Sequence, residues 1–260
     1  MEPTDDFEER EDTPTYRTPE EIDASELRSA LDALHLLGDD MFLRTQAAHL
    51  AVVDHFITGL EYELLRKQFH EESISSAESL FLAAQSQMWI FAAYELLRTW
   101  RERAKDVLKW HRNGGLGLKI EALEQELGFQ HWGRKTRADQ LRKVLSDSSI
   151  ITKIEGDIRI THIPFAQLAA VRVALAKHEV GGNKKSVANA PGFGRVNRWC
   201  GSVDYEHECN GAILGYVSRR DIAESLRAIS DRSRPPPTDD DLADFDKFMK
   251  GPPSGSFDTT

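Results

Sequence analysis

The sequence has little cysteine, no glycine-rich phosphate-binding loop and no cluster of residues spaced as metal ligands. Its two cysteines, Cys200 and Cys209, flank His207, which makes three potential ligands where a structural zinc site has four. A disulfide between them is disfavoured in a reducing compartment, so we expect free thiols, no metal and no cofactor. The stretch Pro191–Arg198 lacks the third glycine and the preceding strand of a dinucleotide-binding loop.

Long apolar runs are also missing from the 260 residues. No run approaches the roughly 20 residues that span a bilayer. The first residues, Met1–Asp6, do not have the basic and then apolar character of a secretion signal. We therefore expect a cytoplasmic protein without a membrane partner. Hydrophobic residues make up 40% and charged residues 29% of the chain, values typical of soluble globular proteins.

The acidic charge is concentrated at the two ends of the chain. Residues 1–24 carry a net charge of −8 and residues 235–260 carry −4, which leaves +2 for residues 25–234 out of a total of −10. The ends are poor in apolar residues and cannot bury enough surface to offset the loss of chain entropy. We therefore expect both ends to be disordered.

The C-terminal end nevertheless contains spaced apolar residues. Leu242, Phe245 and Met249 would share one face of a short helix, and Phe248 lies beside them. Acidic segments with spaced apolar anchors can fold into the groove of another protein, so these four residues are a candidate partner-binding segment. The alternative is a tail that only keeps the protein soluble.

Two long helices are predicted in the first half of the chain. Apolar residues recur at spacings of three and four from residue 25 to residue 70, with a bend or break near Gly38. Ser75 and Glu78 have the spacing of a capping box at the start of a second helix, which runs to about Arg112. A short polar turn joins them, which favours an antiparallel hairpin. Both apolar stripes are wide, so we expect later helices or a second copy of the chain to cover them in a homo-oligomer.

Shorter elements follow. Residues 120–127 and 134–146 are predicted to be helices, and Ile150–Ile160 has the pattern of a β-hairpin with its turn at Glu155–Asp157. The competing interpretation continues this section as loop and helix towards Pro164, which is suited to the start of a helix. Helix, helix and hairpin in this order are also typical of a winged helix-turn-helix domain.

The last third of the chain combines loops with short regular elements. Extended pieces are predicted at Ser202–Glu206 and Ile213–Val217, and Ser218 and Asp221 form an N-cap for a helix to about Ile229. We therefore predict a mainly α protein: a bundle of long antiparallel helices over residues 25–180 and a small β-hairpin or irregular element with a final helix over residues 181–234.

Basic residues are concentrated between Arg98 and Lys143. A basic surface attracts phosphates, so the candidate nucleic-acid contacts are Arg98, Arg101, Arg134, Lys135 and Arg137. The last three would begin the recognition helix of a winged-helix domain, with Gly156 at the tip of the wing. The alternative is that all five belong to the solvated faces of amphipathic helices.

One apolar helical run, Leu168–Glu179, contains Arg172 and His178 with five residues between them. A histidine can exchange a proton near neutral pH, and an arginine can stabilise the charge that develops on a phosphate. Arg44 and His49 form a second pair of this type. We favour the first pair because it follows two long helices and lies within an apolar helical run.

Residues 25–180 resemble the HEPN superfamily of small α-helical bundles. In this resemblance the helix that carries Arg172 and His178 corresponds to the motif helix of the superfamily. The resemblance implies a metal-independent ribonuclease that acts as a toxin or in phage defence and dimerises across the motif helix. It also implies that Arg172 stabilises the phosphorane, while His178 transfers protons at the 2′-hydroxyl or the leaving oxygen. The chain departs from the family pattern at Val173, where a polar residue usually follows the arginine.

Two other classes of function stay open on the sequence. The first is a non-enzymatic adaptor that binds other proteins through its acidic ends. The second is a winged-helix protein that binds duplex DNA, although base recognition needs more polar side chains than the segment offers. RNA, a protein partner of the C-terminal segment and a second copy of the chain are therefore the expected partners.

Overall fold

The structure of the protein is a computed structural model that describes residues 15–70, 74–126, 128, 131–177, 179–180, 183–187, 195–210 and 212–252. It confirms a mainly helical fold with long packed helices and a small antiparallel sheet near the C-terminus. In chain order the helices and strands are α1 (Glu26–Asp32), α2 (Met41–Phe69), α3 (Ser76–Arg112), α4 (Leu116–Glu124), α5 (Trp132–Ser146), α6 (Ser149–Ile160), α7 (His162–Lys177), β1 (Glu179–Val180), β2 (Asn183–Val187), β3 (Arg195–Val196), β4 (Val203–Cys209), β5 (Ala212–Ser218), α8 (Arg219–Arg227) and α9 (Asp239–Met249).

The two long helices α2 and α3 form the antiparallel hairpin that the sequence predicts. Asp40 accepts two backbone hydrogen bonds at the start of α2, and Ser75 and Glu78 make the expected capping box of α3. On the buried side, the indole Nε1 of Trp89 donates to the carbonyl oxygen of Leu50 at 3.2 Å. The hydrophobic core lies along this hairpin and extends to α1, α7 and α8.

The predicted break near Gly38 is confirmed. The first helix ends at Asp32 and α2 begins at Met41. A Cβ atom on Gly38 would lie 2.1 Å from the carbonyl oxygen of Asp32, a distance that no side chain tolerates. The chain therefore folds back tightly here because residue 38 has no side chain.

The β-hairpin predicted at Ile150–Ile160 is wrong, because this segment is helix α6. Ile150, Ile154 and Ile158 are four residues apart, and their side chains pack against the core from one face of the helix. Ile154 is fully buried. The β-branched residues favoured a strand locally, but packing against α3 and α5 decides the conformation.

The small sheet agrees with the two extended pieces predicted in the last third of the chain. Its strand order is β3-β4-β5, and all pairs are antiparallel. Ser218 and Asp221 form the predicted capping box of α8 directly after β5. The turn before β4 approaches α2 so closely that a Cβ on Gly201, which has φ +73°, would lie 2.0 Å from the carbonyl oxygen of Glu61.

Parts of both ends are ordered, contrary to the disorder predicted for residues 1–24 and 235–260. Residues 15–24 include a short 3-10 helix, and the Tyr16 hydroxyl donates to Asp221 at 2.7 Å. Near the other end, Asp239 of α9 forms an ion pair with Arg159 at 2.7 Å. Composition measures only how much apolar surface a segment can bury by itself, whereas these segments are held by contacts with the folded body.

None of the helices in the described ranges has both the length and the apolar character that a membrane span requires.

Candidate functional site

The candidate site lies where α7 packs against α3, around Arg172. The guanidinium Cζ of Arg172 lies 5.2 Å from the ring centroid of Tyr94 on α3. Tyr94 in turn stacks on Phe165 of α7, with 5.4 Å between the ring centroids and an interplanar angle of 10°. The Cζ of Arg101 lies 4.9 Å from the Phe165 centroid. Two arginines and two aromatic rings therefore contact one another in series, and cation–π attraction holds each guanidinium.

Arg101, at one end of this series, is a buried cation. Only 5% of the residue is exposed, and its Nη1 donates to the carbonyl oxygen of Ile158 at 2.8 Å and to the Thr161 hydroxyl at 2.6 Å. Burial lowers the pKa of Arg101 to about 10, so the side chain is still protonated at neutral pH. Its Nε has no hydrogen-bond partner among the residues that the structure describes. Arg101 is therefore fixed in the fold, and the prediction that it lies on a nucleic-acid-binding surface is wrong.

Arg172, at the other end, is half-buried and reachable from solvent. Its Nε is buried without a hydrogen-bond partner, and no carboxylate forms an ion pair with it in the described part of the chain. The ring of Tyr94 holds the guanidinium in place but cannot neutralise its charge. A half-buried guanidinium without an ion-pair partner among the described residues is suited to bind an oxyanion such as a phosphate.

The structure places only one member of the predicted catalytic pair. The helix α7 carries Arg172 and ends at Lys177, and His178 lies outside the described residues. The other pair found in the sequence has a different setting. Arg44 lies near Asp32, with 3.8 Å between Nε and Oδ2, and His49 is exposed on α2.

The remaining predicted nucleic-acid contacts do not form one basic surface. Arg98 pairs with Glu95 and Glu102 on its own helix, at 2.8 Å each. Arg134 donates to the carbonyl oxygens of residues 122 and 123 at the end of α4. Arg98 and Arg134 are therefore committed to contacts within the protein.

The two other residues of the proposed recognition helix are also engaged locally. The Nζ of Lys135 lies 5.9 Å from the ring centroid of Trp132, and Arg137 donates to Gln140 at 3.2 Å. Burial, together with the nearby charge of Arg103, lowers the pKa of Arg137. Since α6 replaces the hairpin that would form the wing, the winged-helix interpretation is wrong for this segment.

The apolar residues of the C-terminal segment face the protein itself. Leu242, Phe245 and Met249 are half-buried on one side of α9, as their spacing predicts, whereas Phe248 is 53% exposed. The ring of Phe245 meets the His162 ring edge-on at 6.4 Å, and His162 Nε2 lies 2.7 Å from Asp246 Oδ1. The groove that receives this face is therefore formed by α7 of the same chain.

The sequence analysis missed a buried ionic cluster between α2 and α8. Arg219 contacts Asp54 and Glu61, and Arg227 also contacts Asp54. Burial alone would lower the pKa of Arg219, but the charges of Glu61 and Asp54 outweigh it and the pKa is raised. Together with Arg220 and Glu224, the cluster joins the final helix to the long hairpin.

A sequence signal for this cluster exists. Asp54 and Glu61 are seven residues apart and share the face of α2 that carries Leu50 and Ile57, all of them buried. An acidic residue on the apolar face of a helix requires a buried partner, because an unpaired charge is costly in the interior. What the sequence does not indicate is that the partner, Arg219, comes from a segment more than 150 residues away.

Neither Cys200 nor Cys209 forms a disulfide, and both are buried in the C-terminal part of the fold. Burial raises the pKa of Cys200 to about 12 and also raises that of Cys209. His207 between them is half-buried, and burial lowers its pKa despite a hydrogen bond with the backbone of Met249. Among the described residues, no three His, Cys, Asp or Glu side chains are grouped as ligands for a metal ion.

Comparisons with known proteins add no further constraint, since no protein-family model, curated protein or solved structure matches the chain.

Proposed function

We propose that this protein binds RNA at Arg172 and cleaves it as a HEPN-like ribonuclease in the cytoplasm. The observation that supports the proposal is the state of Arg172: a half-buried guanidinium held against Tyr94, with its Nε unbonded and with no carboxylate partner among the described residues. A guanidinium with no counter-ion in the described part of the chain is available to pair with a phosphate.

The proposed chemistry is a transfer within the RNA strand. The 2′-oxygen of a ribose forms a bond to the adjacent phosphorus, and the bond from phosphorus to the 5′-oxygen breaks. His178 accepts the proton of the 2′-hydroxyl or supplies one to the leaving 5′-oxygen, and water serves as the partner in the other transfer, which gives a 2′,3′-cyclic phosphate and a 5′-hydroxyl. Arg172 stabilises the negative charge on the non-bridging oxygens as the phosphorane forms. In the sequence His178 follows Arg172 by six residues.

The test measures RNA binding and RNA cleavage by the full chain, in EDTA and in Mg²⁺. We expect Arg172→Gln and His178→Ala each to reduce cleavage by about 100-fold or more, the range reported for a lost charge-stabilising or proton-transfer group. Arg98→Gln is the matched control. Arg98 lies on α3, the helix against which α7 packs, and its charge is already paired with Glu95 and Glu102. Circular dichroism shows whether each variant is folded.

Two outcomes would contradict the proposal. The first is a folded wild-type protein that neither binds nor cleaves RNAs of varied sequence. The second is an Arg172→Gln variant that cleaves as fast as Arg98→Gln. Substitution of Tyr94 by leucine refines the test, since loss of the ring frees the guanidinium and should raise KM more than it lowers kcat.

The second candidate function is that of an adaptor, favoured by the amphipathic pattern of α9. In the structure Leu242, Phe245 and Met249 contact the body of the same chain, so a protein partner would have to displace α9. An adaptor of this kind would lose its partner when residues 235–260 are removed, and the ribonuclease activity proposed above would persist.

A further inference from the structure

An open cavity of about 520 Å³ lies between the C-terminal half of α2 and the short 3-10 helix near the N-terminus. Pro19 and Glu20 form one wall. The other wall is a stripe of α2 that consists of Gly59, Tyr62, Glu63, Arg66, Lys67 and His70. These positions recur with the period of a helix and extend over about 17 Å. The volume of this α2 cavity lies within the range of about 300–1,000 Å³ that is usual for small-molecule sites.

Gly59 leaves space on the α2 wall. A Cβ atom at this position would meet no other atom within 4 Å, and the residue lies in the interior of α2. Glycine weakens the interior of a helix relative to alanine, and no contact among the described residues requires it here. The missing side chain lets a flat group approach the backbone of α2. Tyr62, one turn further along, presents a half-buried ring beside that space.

Lys67 is already committed to carboxylates of the protein. Its Nζ lies 3.2 Å from Glu63 on the same helix and 2.5 Å from Glu78 at the start of α3. The hydrogen bond from Lys67 lowers the pKa of Glu78 to about 2, so this carboxylate is charged at neutral pH. Lys67 and Glu63 therefore neutralise each other at the edge of the cavity.

Arg66 and Glu20, by contrast, are unpaired charges on different walls of the cavity. Neither forms an ion pair with any residue that the structure describes, and both are exposed. Arg66 lies in the last turn of α2, where the helix dipole favours a cation. A cation and an anion thus line one cavity, but they do not reach each other.

Opposite charges that face one cavity select a ligand with both charges. A simple anion that pairs with Arg66 would gain nothing from Glu20 and would be repelled by it, and a simple cation would meet the same difficulty at Arg66. A ligand that carries a carboxylate and an ammonium satisfies both residues. Between them, Tyr62, Pro19 and the space over Gly59 offer an apolar surface.

We infer that the α2 cavity binds a small zwitterion with an apolar or aromatic group, of the class of a free α-amino acid or a short peptide. The carboxylate pairs with Arg66, whose planar guanidinium matches its geometry, and the ammonium pairs with Glu20. The apolar group lies over Gly59 against Tyr62.

The inference does not depend on the proposed function, because the α2 cavity is separate from the site around Arg172. Lys67 of the cavity contacts Glu78, and Tyr94 lies 16 residues further along α3, a distance of about 24 Å on a helix. Binding of a zwitterion and cleavage of RNA can therefore succeed or fail independently.

Isothermal titration calorimetry on the full chain tests the inference with L-phenylalanine and two analogues. The first analogue, 3-phenylpropanoate, lacks the ammonium, and the second, 2-phenylethylamine, lacks the carboxylate. We expect L-phenylalanine to bind and each analogue to bind about tenfold more weakly or less, since each loses one charged hydrogen bond. The dipeptide glycyl-phenylalanine distinguishes the two ligand sources: tighter binding of the dipeptide indicates a peptide, and tighter binding of phenylalanine indicates a free amino acid.

Variants of the cavity locate the binding. Arg66→Gln and Glu20→Gln should each weaken the binding of L-phenylalanine by about tenfold. The matched control is Arg112→Gln, because Arg112 is an exposed arginine at the end of α3, outside the cavity. Gly59→Ala adds a methyl group to the cavity and should weaken binding while it raises the melting temperature, because alanine favours the helix. Loss of binding in this variant is then not a loss of folding.

Three outcomes would overturn the inference. The first is a folded wild-type protein that binds none of the four compounds at millimolar concentration. The second is 3-phenylpropanoate or 2-phenylethylamine binding as tightly as L-phenylalanine, which would mean a site for a single charge. The third is a binding constant for L-phenylalanine that is the same in Arg66→Gln, Glu20→Gln and Arg112→Gln.

Discussion

Arg219 and Glu61 form a two-pronged ion pair in which both side chains are fully buried. Nε of Arg219 donates to Oε1 of Glu61 at 2.8 Å, and Nη2 donates to Oε2 at 2.6 Å. The pair joins residues 158 positions apart and holds the start of α8 against the middle of α2. Planar guanidinium and carboxylate groups match in this geometry, which makes such pairs stronger than a single charged hydrogen bond.

Replacing Glu61 by glutamine should therefore destabilise the fold strongly. The substitution leaves Arg219 charged and buried with one carboxylate fewer, and removing one partner of a buried ion pair costs about 3–5 kcal/mol. Urea denaturation monitored by circular dichroism measures the change in free energy of unfolding. Glu63→Gln is the control, because Glu63 forms an exposed ion pair with Lys67 and should change stability by about 1 kcal/mol or less. Equal losses for the two variants would contradict the assignment.

Stability should fall below about pH 6.5 through His207. Burial lowers the pKa of His207 in the folded state, while an unfolded histidine has a pKa of about 6.5. Protonation therefore favours the unfolded chain: the contribution of neutral His207 is complete above pH 6.5 and is lost as the pH falls towards its folded pKa. The midpoint of urea unfolding, measured from about pH 5 to 8, should decline less steeply in His207→Asn than in the wild type. Identical slopes would show that other groups cause the decline.

The helix α9 should be held to the protein by Phe245 and not by Phe248. Phe245 is half-buried against His162, whereas Phe248 is 53% exposed on the same helix. Hydrogen exchange measured by mass spectrometry reports local opening of α9. We expect Phe245→Ala to accelerate exchange of the backbone amides of α9, while Phe248→Ala leaves it near the wild-type rate. Equal acceleration by both substitutions would mean that helix propensity, and not docking, controls the order of α9.

The two thiols should react slowly in the folded protein. Burial raises the pKa of Cys200 to about 12 and raises that of Cys209, so at pH 8 the reactive thiolate is scarce at both positions. Titration with Ellman's reagent should show slow reaction without denaturant and rapid reaction of both thiols in denaturant. Rapid reaction of Cys200 in the folded protein would contradict its burial against α2.

Local signals in the sequence predicted the starts of two helices correctly. Ser75 with Glu78 and Ser218 with Asp221 mark the starts of α3 and α8, because capping depends on residues only three positions apart. The segment Ile150–Ile160 was predicted wrongly for the opposite reason. Its isoleucines fit a strand or one face of a helix, and only contacts with α3 and α5 distinguish the two.

The candidate site was predicted in part. Arg172 could be singled out because arginine is uncommon in an apolar helical run, but its contact with Tyr94 on α3 is a tertiary relationship. Arg101 was expected on the surface, since basic residues on amphipathic helices usually face solvent. The structure buries it, with its guanidinium over the Phe165 ring and hydrogen-bonded to the Ile158 carbonyl and the Thr161 hydroxyl.

The sequence by itself determined the class of fold and the two long helices, because helical periodicity and capping are properties of neighbouring residues. Only the tertiary structure decided that Glu61 pairs with Arg219, that α9 docks on its own chain and that Arg172 has Tyr94 beneath it. These outcomes depend on which distant segments meet, and burial then changes the cost of every charge and hydrogen bond at the contact.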